Sequence, residues 1–178
     1  MSRMMGGLPV RISGIQHIGL TVPDMEEAVA FFTRIFGAVC VMECGSVDVD
    51  DEFMIRRLGV PSGRRIKDQR VIRLGNGGNL ELFEYSGEPD QTPVKQNSEI
   101  GACHFALEVK DAVEATERLR AAGVDVLDGP TLITSGPMEG LTWVYLRSPW
   151  GQFLELVSTT GPMGYEKSDG PRMWSPSE

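Results

Sequence analysis

The sequence predicts an α+β protein made of two tandem βαβββ modules, and two observations lead to this prediction. The first is an internal repeat in which a shift of 87 positions places Gly14 on Gly101 and His17 on His104. The second is the pattern Gly-x-x-Leu-Glu-Leu, which occurs at residues 77–82 and again at 151–156. Similarity at a fixed spacing is the signature of a duplicated structural unit.

The first module is predicted over residues 12–85 and begins with a strand followed by a helix. From residue 12 the residues alternate, so that Ile18 and Leu20 face one way while His17 faces the other. An aspartate followed three residues later by a glutamate favours a helix start, and a glycine favours its end. These capping and terminating residues are Asp24, Glu27 and Gly37.

Three further strands complete the first module. We expect them at residues 39–42, 69–74 and 79–85, with the last two joined by the glycine-rich turn 75–78. An insert at 45–67 separates the second strand from the third. Within it, acidic residues from position 50 favour a short helix that runs to Leu58, because Gly59 and Pro61 follow.

The second module, residues 100–158, repeats the same plan. Its strands are expected at 102–109, 124–127, 142–147 and 152–158, with a helix at 111–122 and a loop at 128–140. A polar linker at 86–99 joins the modules, and the tail 159–178 is expected on the surface or partly disordered, like the loose leader 1–10. Each module alone would build a marginal core, so we expect both to pack into one compact domain.

Composition narrows the classes of partner. The net charge is -8 at pH 7, which argues against a general nucleic-acid or anionic-membrane surface and leaves small molecules or proteins. No apolar run approaches the roughly 18 residues that span a bilayer, and the first ten residues lack the apolar core of a signal peptide, so we expect a cytoplasmic protein. Three cysteines do not form a disulfide framework; Cys40, Cys44 and Cys103 are predicted as small buried residues.

Four side chains with metal-binding chemistry share one predicted face. In each Leu-Glu-Leu strand the leucines must face the helix layer, which turns Glu81 and Glu155 to the opposite side. His17 and His104 point to that side as well, and they are the only two histidines in the chain. Two imidazoles and two carboxylates suit a divalent ion such as Zn, Ni, Co, Mn or Fe.

These features resemble the vicinal oxygen chelate superfamily. The resemblance covers about residues 12–158, and its motifs are the Gln-His-Ile-Gly and Cys-His-Phe-Ala openings, the Phe-Phe-Thr-Arg-Ile-Phe-Gly helix end and the paired Gly-x-x-Leu-Glu-Leu strands. The superfamily includes glyoxalase I, methylmalonyl-CoA epimerase, extradiol dioxygenases, and fosfomycin- and bleomycin-resistance proteins.

The resemblance implies both a shape and a ligand set. Mixed, curved sheets would form a cup, and one divalent metal ion would be held by His17, Glu81, His104 and Glu155. Because members of the family assemble the site within one chain or across a dimer, that choice stays open, although we expect a homodimer. Where a common family pattern has Asp-Pro-x-Gly, the turn 148–151 reads Ser-Pro-Trp-Gly, which would put Trp150 at the mouth of the cup.

A set of two histidines and two carboxylates resembles the glyoxalase-like and epimerase-like branch of the family. It implies a metal-dependent lyase, isomerase or epimerase acting on a small α-hydroxycarbonyl or thioester substrate through a metal-stabilised enolate or enediolate. Glu155 or Glu81 would be the base, with Glu108 and Glu43 as further candidates.

Two alternatives stay open. One is an extradiol-type iron dioxygenase that uses His17, His104 and Glu155. The other is a non-catalytic protein that binds a small molecule. A basic cluster between residues 56 and 73 could receive an anionic substrate group or balance nearby acids. Aromatic residues expected to line the cup are Phe83, Tyr85, Trp143, Tyr145 and Phe153.

Overall fold

The computed structural model describes residues 14–87 and 94–176, and these form an α+β fold with three α-helices. The first module contains β1 (Ile18–Thr21), α1 (Met25–Phe36), β2 (Val39–Glu43), α2 (Asp51–Leu58), β3 (Arg65–Leu74) and β4 (Gly78–Ser86). The second contains β5 (Phe105–Glu108), α3 (Ala112–Ala121), β6 (Asp125–Val126), β7 (Thr131–Leu132), β8 (Leu141–Arg147) and β9 (Phe153–Thr159). The leader 1–10 and the tip of the linker, 88–93, lie outside the described residues.

Each module folds into its own curved, mixed sheet, which confirms the predicted fold class. The strand order is β1-β4-β3-β2 in the first sheet and β5-β9-β8-β6 in the second. In both sheets the first strand runs parallel to the last, and the other neighbours are antiparallel. The predicted loop 128–140 contains the two-residue strand β7, which pairs with β8.

Helix ends follow from the capping residues. The side chain of Asp24 accepts a hydrogen bond from the Glu27 amide at 2.8 Å, and Gly37 ends α1 with a left-handed φ of 67°. The predicted helix in the insert is present as α2, with Asp50 as its N-cap and Gly59 after its last residue. The backbone amides of a helix's first turn have no partner within the helix. The side-chain oxygen of an N-cap aspartate accepts a hydrogen bond from one of them, which is why these residues define where the helices begin.

One hydrophobic core includes residues of both modules. Leu80 and Leu82 of β4 enter it from the first sheet, and Leu154 and Leu156 of β9 enter it from the second. The ring of Phe32 on α1 lies against residues of the second module, including Phe105 with centroids 6.4 Å apart. Because each sheet turns its buried face to this shared core, its other face points away. We call that other face of each sheet its open face.

The prediction that the three cysteines are buried was wrong. Cys44 and Cys103 are exposed and Cys40 is half-buried, so the cysteines are not core residues. The tail is ordered in part: a short 3-10 helix spans Gly164–Lys167, and Met163 before it is buried. Among the described residues, no helix is both long and apolar enough to cross a bilayer.

Trp150 does not lie at the mouth of a cup. Its ring packs against Phe31 at 5.8 Å and Phe32 at 5.9 Å, so it joins the contact between the modules instead. The apolar side of α1 offers Trp150 an aromatic surface that the turn 148–151 can reach, and burying the indole there is favourable.

Candidate functional site

His17 and Glu81, two of the four predicted metal ligands, form a first pair. His17 stands directly before β1, and β1 pairs with β4 in a register that places Gly19 beside Glu81. His17 Nε2 lies 3.1 Å from Glu81 Oε2. The histidine side chain is 43% exposed and the glutamate 20% exposed, so both remain accessible from the open face.

Neighbouring side chains orient this pair. The Gln69 amide donates to Glu81 Oε1 at 2.7 Å, and Asn79 donates to the Gln16 carbonyl at 2.9 Å. His17 Nδ1 contacts the side-chain oxygen of Gln16. An amide oxygen can only accept a hydrogen bond, so this contact puts the proton of a neutral imidazole on Nδ1 and directs the Nε2 lone pair toward Glu81.

His104 and Glu155 form the second pair in the same way. β5 pairs with β9 so that Ala106 lies beside Glu155, and His104 Nε2 is 3.4 Å from Glu155 Oε2. The Tyr145 hydroxyl lies 3.3 Å from the same imidazole nitrogen. Burial raises the pKa of Glu155, and the nearby His104 only partly opposes that shift. Burial also raises the pKa of Tyr145, and the Glu155 charge adds to this effect.

Each pair has a donor set and spacing that fit a divalent metal ion. Ligand atoms about 2.0–2.2 Å from an ion, at right angles to one another, stand about 3 Å apart. The two measured separations, 3.1 Å and 3.4 Å, are close to this value. The pairs do not converge, however: within the described ranges, no three His, Cys, Asp or Glu side chains gather where an ion could sit. One chain therefore presents two half-sites, each with one nitrogen and one oxygen ligand.

The two further carboxylates fall on different faces. Glu43 lies opposite Arg70 in the pairing of β2 with β3, and Arg70 bonds to Glu26 of α1 at 2.5 Å, so this position belongs to the helix side of the sheet. Glu108 is on the open face, and it accepts a hydrogen bond from Ser175 Oγ at 2.8 Å. Nothing in the sequence pattern indicates this tail contact.

Aromatic residues line much of both open faces. Phe83 and Tyr85 stack with centroids 6.1 Å apart, while Trp143 packs edge-on against Tyr145. Phe153 is only 4% exposed, so it supports the second open face from beneath and offers little surface to a ligand. Sequence reasoning missed the contact of Gln69 with Glu81, although the alternation along β3 does place Gln69 on that face.

Most members of the basic cluster are neutralised by acids. Arg65 lies 2.5 Å from Asp51, and Lys67 lies 2.5 Å from Glu84. Arg70 bonds to Glu26 and Asp68, and Arg56 pairs with Glu52, one turn earlier in α2. For these residues the structure favours charge balance over binding of an anion.

Known proteins share both the sequence pattern and the fold. Residues 14–156 match the profile of the Glyoxalase/Bleomycin resistance protein/Dioxygenase superfamily. The chain belongs to this superfamily. A 2-epi-5-epi-valiolone epimerase of an Actinomyces species is 37% identical over 171 residues, which cover 96% of this chain and 92% of that protein. This likeness supports an enzyme of the epimerase or isomerase type.

Solved structures of the superfamily show the same fold at lower identity. A glyoxalase family protein of Bacillus cereus has a TM-score of 0.67 and 17% identity, covering 86% of this chain and 98% of its own. The fosfomycin resistance protein FosX of Listeria monocytogenes, solved with Mn(II) and sulfate, has a TM-score of 0.55 and 21% identity, covering 88% and 98%. Members of the superfamily therefore include a protein crystallised with a divalent metal.

Proposed function

We propose that this chain is a divalent-metal-dependent epimerase that inverts a carbon next to the carbonyl group of a small polyhydroxylated ketone. The observation that carries the proposal is the duplicated pair of an imidazole nitrogen facing a carboxylate oxygen, at 3.1 Å and 3.4 Å. The class of substrate comes from the 37% identical relative, whose name describes an epimerase of 2-epi-5-epi-valiolone.

A homodimer would complete the site. The first pair of one chain and the second pair of its partner would supply His17, Glu81, His104 and Glu155 to one ion, Zn, Ni, Co, Mn or Fe. Two carboxylates and a 2+ ion leave such a site near neutral, so a neutral or weakly charged substrate can enter. When bound, the ion would act as a Lewis acid toward the substrate carbonyl and make the adjacent C–H bond more acidic.

Glu155 is the better placed of the two glutamates to remove the proton. The Gln69 amide already holds one oxygen of Glu81 by a hydrogen bond. Among the described residues, His104 is the only side chain that forms an ion pair or hydrogen bond with Glu155, and burial raises the pKa of Glu155 toward the range in which a carboxylate is an effective base. The proton moves from carbon to a Glu155 oxygen, and the electrons of the C–H bond form an enolate.

Inversion requires a proton to return on the opposite face of the enolate. Glu81 comes from the other half of the assembled site, so it can stand across the substrate from Glu155 and protonate the carbon from that side. In the resting site both groups are carboxylates, so Glu81 first takes up a proton from solvent and then donates it to the carbon. Glu155 keeps the proton that it removed until it releases it to solvent, which restores both carboxylates.

Two measurements test this proposal. Elemental analysis of the purified protein should find divalent metal in the wild type and a loss of at least about tenfold in metal affinity for His104→Ala. In heavy water, the wild type should incorporate deuterium next to the carbonyl of 2-epi-5-epi-valiolone, and Glu155→Gln should slow this exchange by about a hundredfold or more. Equal metal contents, or exchange that does not depend on Glu155, would contradict the proposal. Oxygen uptake with a catechol would favour the iron dioxygenase instead.

A further inference from the structure

Two arginines occupy equivalent positions in the two modules. Arg73 is the penultimate residue of β3 and Arg147 is the last residue of β8, 74 positions apart, which is the same offset that relates Glu81 to Glu155. Pairing along the sheets places Arg73 opposite Asn79 and Arg147 opposite Phe153. Both arginines therefore lie on an open face, near the pair of their own module.

Their surroundings differ. Arg147 Nη1 lies 3.5 Å from Asp125 Oδ2, and its guanidinium group lies 5.0 Å from the centre of the Phe153 ring. At the position of Asp125 the first module has Val39, which pairs with Arg73 in the register of β2 and β3. At the position of Phe153 it has Asn79, whose amide is bonded to the Gln16 carbonyl.

Arg73 is consequently an exposed cation without an acidic partner or a ring within the described part of the chain. In the second module the acid and the ring keep the equivalent guanidinium in place. In the first module Val39 and Asn79 take these places and offer the guanidinium neither an acid nor a ring, whereas Arg65 and Lys67, earlier on the same strand, are paired with acids. The second module therefore shows which neighbours hold an arginine at this position, and the first module lacks both of them.

Arg73 also stands within reach of the first pair. Val71 lies directly opposite Glu81, so Gln69 and Arg73 are its two diagonal neighbours on β3. Diagonal positions are about 7–8 Å apart, a distance that long side chains cross. Gln69 does cross it, because its amide lies 2.7 Å from Glu81 Oε1. The side chain of Arg73 is longer than that of Gln69, and it starts from the same face on the other side of Glu81.

We infer that Arg73 is a substrate-binding residue of the first half-site, where its guanidinium group donates paired hydrogen bonds to two neighbouring oxygen atoms of the ligand. The planar group carries five N–H donors in a fork that matches two adjacent oxygens. A vicinal diol and a phosphate group both present such a pair. The inference rests on the proposed function, because it places the ligand at the His17–Glu81 pair.

Two variants test Arg73 in different ways. Arg73→Met removes the donors. Val39→Asp keeps them but supplies the acid that the second module has at this position, so the guanidinium is drawn away from the ligand. The matched controls are Arg34→Met, which removes the same charge on the exposed side of α1, and Val113→Asp, which adds the same carboxylate on the exposed side of α3.

Epimerisation of 2-epi-5-epi-valiolone is the first readout. A contact away from the reacting carbon binds ground state and transition state alike, so both test variants should raise KM about tenfold or more with kcat within about twofold. The second readout is calorimetric binding of inorganic phosphate to the same proteins. It tests Arg73 even if the wild type does not epimerise the ketone, an outcome that would refute only the proposed function.

The pattern of results decides the inference. A rise of KM, or of the Kd for phosphate, in both test variants and in neither control supports it, and the probe that responds identifies the diol or the anion. The inference is overturned if KM and the Kd for phosphate of Arg73→Met and Val39→Asp stay within about twofold of the controls. It is also overturned if only one of the two test variants shows a rise, or if the wild type binds neither the ketone nor phosphate. Unchanged circular dichroism spectra exclude misfolding as the cause.

Discussion

Glu81 and Glu84 lie three residues apart on β4, and the alternation of the strand gives them opposite tasks. Glu81 faces outward beside His17, whereas Glu84 is buried and accepts a hydrogen bond from the Met25 amide at the start of α1, at 3.2 Å. The second module repeats this arrangement with Ser158, whose hydroxyl accepts from the Ala112 amide at 3.0 Å. Each last strand thus carries one carboxylate on the open face and one side chain that fixes the helix behind it.

Removing the buried acceptor should therefore affect stability and not the proposed metal site. We expect Glu84→Ala to lower the free energy of unfolding by about 1–3 kcal/mol, because the Met25 amide and Lys67 would lose their partner. Ser158→Ala should cost about 1 kcal/mol, the usual value of a helix cap. Urea unfolding measures both, with Glu43→Ala as an exposed control expected within about 0.5 kcal/mol. If either variant lost more free energy of metal binding than free energy of unfolding, the separation between the helix-fixing side chain and the proposed metal site would be contradicted.

At the scale of elements, local chemistry predicted the helices better than the strand ends. Asp24, Asp50 and Asp111 were predicted at helix starts or in the first turn, and each is an N-cap. The strand predicted from residue 102 begins only at Phe105, because the Cys103 carbonyl accepts from the Gln152 side chain at 2.6 Å instead of from a neighbouring strand. Such a partner, 49 residues away along the chain, leaves no local signal.

The insert depends on Asp51 in a way that pH should reveal. Hydrogen bonds from the Ser62 hydroxyl, the Arg65 guanidinium and the Gly63 amide hold the pKa of Asp51 at about 2, below its ordinary value of 3.8. A lowered pKa means that the charged form favours the folded insert. This contribution is fully present above pH 3.8 and is lost as the pH falls through about 2.

We accordingly expect the Gly63 amide to exchange faster in Asp51→Asn than in the wild type at neutral pH. The difference should shrink as the pH falls from 4 to 2, because the wild type then loses the charge as well. Amide hydrogen exchange by NMR measures it. Glu52→Gln removes a neighbouring charge that pairs with exposed Arg56, so it should leave the Gly63 amide unchanged. An equal effect of both variants would refute the assignment.

Another element, the 3-10 helix of the tail, is held by close backbone contact. The Gly164 amide donates to the Glu139 carbonyl at 2.9 Å, and the Tyr165 amide donates to the Pro137 carbonyl at 2.8 Å. A Cβ atom on Gly164 would stand 2.0 Å from the Gly136 carbonyl oxygen, which is closer than any such contact can be. The sequence could not predict that this part of the tail is ordered, because glycine and proline in a segment without periodicity usually indicate a loose tail.

Gly164→Ala should thus release the tail at a cost of about 1–3 kcal/mol. We expect a lower thermal midpoint and faster trypsin cleavage after Lys167. Gly161→Ala is the matched control, since a Cβ there would meet no atom within 4 Å. Equal cleavage rates for the two variants would show that the contact does not hold the tail.

For the whole molecule, the alternation along the strands predicted which residues face outward but not how the two modules pack. His17, Glu81, His104 and Glu155 are all accessible from open faces, and within each module imidazole and carboxylate meet. Whether two open faces form one cup depends on which surfaces the modules bury against each other. Here the helix sides share the core, through contacts such as Phe32 with Phe105, so the open faces of one chain turn away from it.

This arrangement makes a prediction about mixtures of inactive chains. If each site joins the first pair of one chain to the second pair of its partner, His17→Ala and His104→Ala are each inactive alone. A dimer that contains one chain of each kind has one site with both mutations and one site with none. Random exchange makes half of the dimers mixed, so the mixture should recover about one quarter of wild-type activity and metal content.

The control uses the same logic within one module. In a mixture of His17→Ala with Glu81→Ala, both mutations affect the first pair, so every site contains a damaged first pair and no activity should return. The measurement is steady-state epimerisation after the chains are mixed, unfolded in urea and refolded together. A site confined to one chain would be damaged in every chain of either mixture, so neither mixture would recover activity. The absence of recovery from His17→Ala with His104→Ala would therefore contradict assembly across the dimer.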